Sequence, residues 1–208
     1  MKANKLWICA ILVVFCTIGT SCEMNDPDAP FIPYEYGKSV GIFSISDYTQ
    51  VTFSTGNLQY NINSRTWRFA EHQYDYIGKD NVSNIENRTG WIDLFGWGTG
   101  NDPLRYGSSY SDERYQTFVD WGTNKMGDDA PNTWRTLTED EWMYIVEGRK
   151  HAKKLCAPGI INGVQGLIIL PDNFSKPSSV SWKTKSNWQR YYYWDVDNEY
   201  TIAEWSLM

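Results

Sequence analysis

The feature that most constrains the fold is a long stretch, residues 78–133, without helical or strand periodicity. Glycine, asparagine, aspartate and serine dominate it, and single tryptophans stand beside glycines at Trp91, Trp97 and Trp121. A structureless stretch of this length is uncommon inside a compact domain. We therefore expect long, ordered loops that these tryptophans pin, with residues 91–95 as a short element among them.

The composition agrees with a loop-rich domain. The chain has 11 tryptophans and 14 tyrosines but only ten leucines, although leucine is usually among the commonest residues. We expect most of the tryptophans to pack in the core; the alternative is that some form exposed platforms. The length of 208 residues suits one domain. A net charge of −6 argues against nucleic acid as a partner, because nucleic-acid binding needs a basic face.

Regular strands are predicted on both sides of the loop-rich stretch. Four short runs alternate apolar and polar residues, as half-buried antiparallel strands do: residues 40–45, 50–54, 57–61 and 66–70. Asn162-Gly163 between residues 153–161 and 164–170 predicts a hairpin with a two-residue turn. Gly166 inside the second of these strands indicates a bulge or a close backbone approach.

Two helices are predicted from capping boxes. Thr138 and Glu141 open the first, whose periodicity places Trp142 on the buried face. Thr201 and Glu204 open the second, which has only two turns before the sequence stops. Because so short a helix is not a natural domain terminus, we expect a domain whose C-terminal strands are missing.

The first 21 residues predict a lipoprotein signal peptide. Lys2 and Lys5 precede an apolar run, residues 6–18, that is too short to span a bilayer core of about 30 Å. Small residues at positions 19–21 then precede Cys22, as in a bacterial lipobox. We expect Cys22 to be lipidated and to become the N-terminus; the alternative is ordinary cleavage with Cys22 left free.

Removal of this signal peptide changes the mature chain. Residues 22–37 are acidic and contain prolines, so they predict a flexible tether in front of a domain at residues 38–208. Two lysines and no acid are lost, which takes the net charge from −6 to −8. Apart from the lipidated cysteine, only Cys156 remains, so no internal disulfide can form. Cys156 lies in an apolar run and is predicted to be a small buried side chain.

Several linked segments carry a family resemblance: residues 53–60, 66–71, 73–78, 90–99, 120–122, 134–142 and 164–172. They include Gly-Trp-Ile-Asp-Leu-Phe-Gly-Trp at residues 90–97. Together they resemble a large paralogous group of Bacteroidota surface lipoproteins, similar to the Fibrobacter major paralogous domain proteins. The resemblance begins near residue 39 and continues to the end of the sequence. The segment Leu-Thr-Glu-Asp-Glu-Trp also resembles formylglycine-generating, sulfatase-modifying domains.

The resemblance implies an α+β, C-type-lectin-like fold with small antiparallel sheets, about two helices and long ordered loops. Members of the group continue past the helix at Trp205 into closing strands that this sequence lacks. An acidic stretch after the lipidated cysteine resembles the signal for export to the outer face. This implies a cell-surface protein of the outer membrane, with membrane lipid as its partner through Cys22.

No catalytic residue, metal site or cofactor is predicted. His72 and His151 lack any spacing that indicates a metal. Residues 195–199 resemble the start of an EF-hand loop, but Tyr200 replaces its glycine and Ser206 its glutamate. Formylglycine-generating enzymes use a cysteine pair, whereas Cys156 would be alone, so their activity is not implied here.

The predicted ligand-binding residues follow an aromatic run, Tyr191-Tyr192-Tyr193-Trp194. On a strand, alternate members face opposite sides, so some of these rings would be exposed next to polar groups. Exposed rings beside such groups suit the C–H faces of sugars; the alternative is that the run packs in the core. The candidate set is Trp188, Tyr191, Tyr193, Asp195 and Asp197.

The sequence therefore predicts a non-enzymatic, surface-anchored binding or adhesion module, whose ligand is a glycan or a protein. Two alternatives remain open. One is the remnant of a sulfatase-modifying-type enzyme domain. The other is a truncated paralogue without independent function.

Overall fold

The computed structural model describes residues 13–14, 41–106, 117–184 and 196–208. The chain forms two compact units. The first joins Met1–Phe15 to Ser54–Thr136, and the second joins Cys16–Phe53 to Leu137–Met208. Both units contain helices and short strands, which confirms the predicted α+β class with small, mainly antiparallel sheets.

The described residues contain ten strands and four α-helices. The strands are β1 (Val13–Val14), β2 (Phe43–Ser44), β3 (Gln50–Val51), β4 (Leu58–Asn61), β5 (Thr66–Phe69), β6 (Trp91–Ile92), β7 (Trp134–Arg135), β8 (Cys156–Ile161), β9 (Val164–Ile169) and β10 (Glu199–Tyr200). The helices are α1 (Asp80–Glu86), α2 (Glu139–Met143), α3 (Ala152–Leu155) and α4 (Ile202–Trp205). A 3₁₀ turn at Trp121–Thr123 and a π-helical turn at Tyr144–Gly148 complete the set.

The first unit is built on the sheet β5-β4-β6, in which both outer strands run antiparallel to β4. Tyr60 on β4 lies opposite Trp67 on β5 and Ile92 on β6. A second pair joins β1 to β7, and its Val13–Val14 strand falls within the predicted signal peptide. The antiparallel pairing predicted for residues 57–61 and 66–70 is therefore confirmed, but the strands predicted at 40–45 and 50–54 form a separate sheet, β2-β3, and do not continue this meander.

A continuous series of six rings, which we call the aromatic ladder, fills the first unit. In order of contact its members are Tyr60, Trp67, Phe95, Trp121, Trp97 and Phe118. Neighbouring ring centroids lie 4.8 to 5.9 Å apart, and the rings are tilted or perpendicular. Trp121 is only 2% exposed, so the prediction that it pins the loops is confirmed.

Close backbone contact joins the 3₁₀ turn to β7. The Asp120 carboxylate accepts hydrogen bonds from Gly122 N (2.7 Å) and Thr136 N (3.0 Å), and one from the Thr136 hydroxyl. A Cβ atom on Gly122 would lie 1.6 Å from the carbonyl oxygen of Trp134. Only glycine therefore permits this approach.

Helix α1 was not predicted, and its surroundings explain why. Its N-cap residue, Lys79, makes no side-chain capping bond, so the sequence carries no start signal. A buried amide holds the helix instead: Asn81 Oδ1 accepts from Asp93 N (2.8 Å) and Leu94 N (3.1 Å). Asn81 Nδ2 donates to Asp93 Oδ1 (2.7 Å). Burial raises the pKa of the Asp93 carboxyl, although hydrogen bonds from Asn81 and Ile77 oppose the shift.

The second unit contains the sheet β10-β8-β9 and the pair β2-β3. The predicted hairpin is confirmed: Asn162 (φ 50°) and Gly163 (φ 79°) adopt the left-handed conformations of a type I′ turn between β8 and β9. Residues Ala152–Leu155, however, form α3 rather than the start of the strand. The third strand, β10, runs parallel to β8, an arrangement that the expected antiparallel sheets did not include.

The interpretation of Gly166 was wrong. It pairs in regular register with Gly159, and a Cβ at Gly166 would meet no atom of the described chain within 4 Å. The close approach lies across the hairpin, where a Cβ on Gly159 would come 2.2 Å from Ile168 Cδ1.

Both predicted capping boxes are present, at Thr138–Glu141 and Thr201–Glu204. Trp142 is half-buried rather than part of the core, with its ring 5.6 Å from that of Phe53. The turn after α2, Tyr144–Gly148, is π-helical. Its wider geometry changes which side chains point to the interior, and Ile145 is the buried apolar residue of this turn.

A buried arginine ties the second unit together. Arg149 donates to Ile145 O (2.7 Å), Leu170 O (2.8 Å) and Asp172 Oδ1 (2.8 Å). Asp172 Oδ2 accepts from Ser44 N (2.7 Å), which connects β2 to the same network. The guanidinium is thus neutralised and bonded, as a buried charge must be. No helix within residues 41–106, 117–184 and 196–208 has the length and apolarity to cross a membrane.

We predict that Gly122→Ala lowers the free energy of unfolding by about 3 kcal/mol or more, because its methyl group would overlap the Trp134 carbonyl. Gly166→Ala is the matched control, since the space around it is open within the described chain. It should be neutral or stabilise by up to about 1 kcal/mol. Urea denaturation of the full chain measures both; equal stability of the two variants would contradict the close approach.

Asp93→Asn should lower the free energy of unfolding by about 1–3 kcal/mol, because an amide nitrogen would replace one carboxylate acceptor. The raised pKa of Asp93 means that the folded chain holds this proton more tightly than the unfolded chain. The stability it contributes is present at low pH and is lost as the pH rises through the raised pKa. In denaturation curves, the difference in stability between wild type and variant should therefore narrow as the pH rises from below the ordinary carboxyl pKa through the raised pKa of Asp93; a widening difference would contradict it.

Candidate functional site

The predicted ligand-binding set is largely outside the described residues. Trp188, Tyr191, Tyr193 and Asp195 lie there, as does the lipidation residue Cys22. Of the set, Asp197 is described and is exposed just before β10.

Its neighbour Asn198 is buried and serves the fold. Asn198 accepts from Lys183 N (2.9 Å) and donates to Pro158 O (3.2 Å). The side-chain amide of Asn198 is therefore engaged by backbone groups of Lys183 and of Pro158 on β8.

Both histidines are exposed, and the cysteine is buried. His72 is exposed and lies 3.1 Å from Asp75 Oδ2, and His151 is exposed at the start of α3. Cys156 is a free, buried thiol whose Sγ lies 3.6 Å from Arg149 Nη2. Burial raises the pKa of this thiol, although Arg149 opposes the shift. Among the described residues, no group of three or more His, Cys, Asp or Glu side chains could hold a metal ion.

The outer end of the aromatic ladder reaches the surface as the Trp97–Phe118 pair. Trp97 is 54% exposed and Phe118 is 50% exposed, and their ring centroids lie 5.7 Å apart at 46°. Large rings that stay half in water on an ordered surface mark binding sites more often than isolated apolar residues do. This pair is therefore the candidate site.

Backbone hydrogen bonds between two loops position the pair. Val119 N donates to Gly98 O (2.9 Å), and Gly100 N donates to Val119 O (2.9 Å). Gly98 has φ +69°, and a Cβ there would lie 2.5 Å from the Phe118 ring. The glycine therefore lets Phe118 approach the loop that carries Trp97.

The exposed pair rests on a buried ring. Trp97 stands perpendicular to Trp121, at 84° and 5.9 Å between centroids. Trp121 Nε1 is buried and has no hydrogen-bond partner among the described residues. Burying this donor costs about 1–3 kcal/mol, so the packing of the ring must offset the loss.

The loop that carries Trp97 also carries a charged pair. Gly96 N, next to Trp97, donates to Arg105 O (2.8 Å). This backbone hydrogen bond joins the two ends of the loop formed by residues 96–105. Arg105 Nε lies 3.3 Å from Asp102 Oδ2, and both side chains are partly exposed. The site thus combines two exposed rings with an ion pair on the same loop as Trp97.

Most tryptophans were expected in the core, but half of the Trp97 surface is exposed, which is the alternative that the sequence left open. Glycines adjoin both Trp97 and the buried Trp121, so this local pattern does not separate an exposed tryptophan from a core one. Phe118 carried no sequence signal at all; only its pairing with the distant Gly98 loop brings it to the site.

Comparison of the chain with protein-family models, with curated proteins and with solved structures finds no match. The resemblance to Bacteroidota surface lipoproteins therefore stays a prediction from the sequence.

We predict that Gly98→Ala destabilises the first unit by about 1–2 kcal/mol more than Gly127→Ala. Both glycines have positive φ, so both variants carry the left-handed backbone penalty. Only at Gly98 does the new methyl group meet Phe118, whereas Gly127 has open space within the described chain. Thermal and urea unfolding of the two variants measure the difference; equal losses would mean that Phe118 does not rest on Gly98.

Proposed function

We propose that the chain is a surface-anchored lipoprotein that acts as a non-enzymatic binding or adhesion module. The observation that carries this proposal is the Trp97–Phe118 pair, whose exposed rings are held in place by the buried Trp121. A fixed aromatic surface binds a ligand without a large loss of side-chain entropy. The ligand class at this level is a glycan or a protein.

The anchoring part of the proposal rests on the sequence before the domain. A charged start, an apolar run and small residues lead to Cys22, and an acidic, proline-containing segment follows. An acyl-modified N-terminal cysteine would hold the domain at the outer membrane, and the tether would separate it from the lipid surface. The proposed setting is the outer face of a Bacteroidota cell.

We also propose that the fold is C-type-lectin-like and that the chain is a paralogue of the Bacteroidota group. The short strands, the long ordered loops and the helix with the Thr138–Glu141 capping box support this assignment. A lectin-like fold does not itself specify a ligand, so the binding role rests on the exposed pair.

The environment of Cys156 favours binding over the enzymatic alternative. A sulfatase-modifying activity would need a reactive thiol, and reactive thiols are partly exposed with a lowered pKa. Cys156 is buried beneath the Arg149 network, and burial raises its pKa.

We predict that Cys22→Ala moves the full chain from the membrane to the soluble fraction, because the acyl chains would have no attachment point. Cys156→Ala is the matched control and should leave the protein in the membrane. Detergent phase partitioning of cells that express each variant measures the distribution. Membrane retention of Cys22→Ala would contradict the lipid anchor.

The surface location is tested separately on intact cells. Proteinase K added outside should degrade wild-type protein while leaving a periplasmic marker intact. Protection of the chain until the outer membrane is opened would place it on the inner side and would contradict the surface-module proposal.

A further inference from the structure

The size of the Trp97–Phe118 pair limits what it can bind. About half of each ring is exposed, which amounts to roughly 200 Å² of aromatic surface in total. A stable protein interface needs about 800 Å² on each partner. One or two sugar rings, by contrast, present a C–H face that matches a single indole in size, so the pair fits a small ring ligand better than a protein surface.

The rigidity of the pair also favours a sugar. Trp97 packs perpendicular to Trp121. The loops that carry Trp97 and Phe118 are joined by backbone hydrogen bonds at Gly98, Gly100 and Val119. Sugars offer weak, shallow contacts, so they bind where the aromatic face is already in place. The two rings are tilted by 46°, so they do not form a single plane. Trp97 offers a flat face, and Phe118 forms a wall at an angle to it.

The loop that carries Trp97 also supplies groups that can bind sugar hydroxyls. Asp102 and Arg105 form a partly exposed ion pair, and Arg105 is tied through its carbonyl to Gly96 beside Trp97. A carboxylate accepts from hydroxyl groups, and a guanidinium donates to them. A stacked ring could therefore be fixed at its edge by the same short loop that carries the indole.

The charge of the chain selects among sugars. The net charge is −6, and the pI is about 4.9, so the field around the chain repels anions. At the site itself, the carboxylate of Asp102 offsets the positive charge of Arg105. These charges favour an uncharged saccharide over one that carries carboxylate groups.

We propose that the Trp97–Phe118 pair is a stacking site for neutral pyranose rings, with Asp102 and Arg105 as hydroxyl-binding groups at its edge. This inference rests on the proposed binding function and names the ligand class for it. Trp97 supplies the flat face, Phe118 the wall, and Trp121 acts only by positioning Trp97.

Calorimetric titration of the detergent-purified full chain tests the proposal. The probes are three neutral hexasaccharides (cellohexaose, maltohexaose and mannohexaose) and one anionic probe, hexagalacturonate. At least one neutral probe should bind, and Trp97→Ala should weaken it about tenfold or more, since stacking of a ring on an aromatic side chain has that magnitude. Phe118→Ala should weaken it less, and Trp97→Phe should retain part of the affinity even if Trp97→Ala does not fold.

Tyr48→Ala is the matched control, because Tyr48 is 94% exposed but lies in the second unit, outside the pair. It should leave the affinity unchanged. Binding of no neutral probe, equal affinity in folded Trp97→Ala, or tighter binding of hexagalacturonate would each overturn the inference.

A cell-adhesion assay separates failure of this inference from failure of the proposed function. Cells that display wild type or Trp97→Ala are applied to desialylated mucin before and after enzymatic removal of its glycans. Adhesion that needs both Trp97 and the glycans supports the stacking site. Adhesion that needs Trp97 but survives deglycosylation overturns it in favour of a protein ligand, while the binding module itself would stand.

Discussion

The contact between Trp121 and the rings on either side of it is the constraint on which the first unit depends. Phe95 and Trp97 both pack against the Trp121 indole. Through these two rings, Trp121 connects the β5-β4-β6 sheet to the surface loops. Each aromatic contact adds roughly 0.5–1.5 kcal/mol beyond simple burial, so the whole series is a sizeable share of a domain stability of about 5–15 kcal/mol. The rings perform the task that leucine-rich helices perform in other domains, and they do so between loops.

Glycines make this packing possible. A flat indole fills a wide space only where the neighbouring backbone segments come close together, and that requires residues without a Cβ. Gly98 against Phe118 and Gly122 against the Trp134 carbonyl are two places where this need is met. The recurrence of glycine beside tryptophan in the sequence therefore has one physical cause, whether the tryptophan ends up inside or at the surface.

Local signals in the sequence predicted local structure well. The capping boxes at Thr138 and Thr201 and the Asn162-Gly163 turn are decided by bonds within a few residues, and all three are present. Helices α1 and α3 lack side-chain caps, so no neighbouring residue predicts where they begin. The close approach assigned to Gly166 belongs to its cross-strand partner Gly159, which only the register identifies.

The candidate site also depends on contacts between distant residues, so the sequence did not predict it. The exposure of Trp97 depends on which loop packs on each of its faces, and Phe118 reaches it through a pairing between distant loops. The aromatic run that was predicted to bind a ligand is conspicuous in the sequence but lies outside the described residues; of the candidate set, Asp197 is described. Exposure is a property of tertiary packing, and no local pattern encodes it here.

The parallel pairing of β10 with β8 sets an order of events on the folding path. The β8–β9 hairpin closes through a two-residue turn, a step that takes microseconds in isolated hairpins. Glu199 and Tyr200 can then add beside Ile160 and Ile161, but only after the long intervening chain has been closed into a loop. The hairpin is thus the more local part of this sheet, and β10 is the part whose pairing carries the larger loop-closure cost.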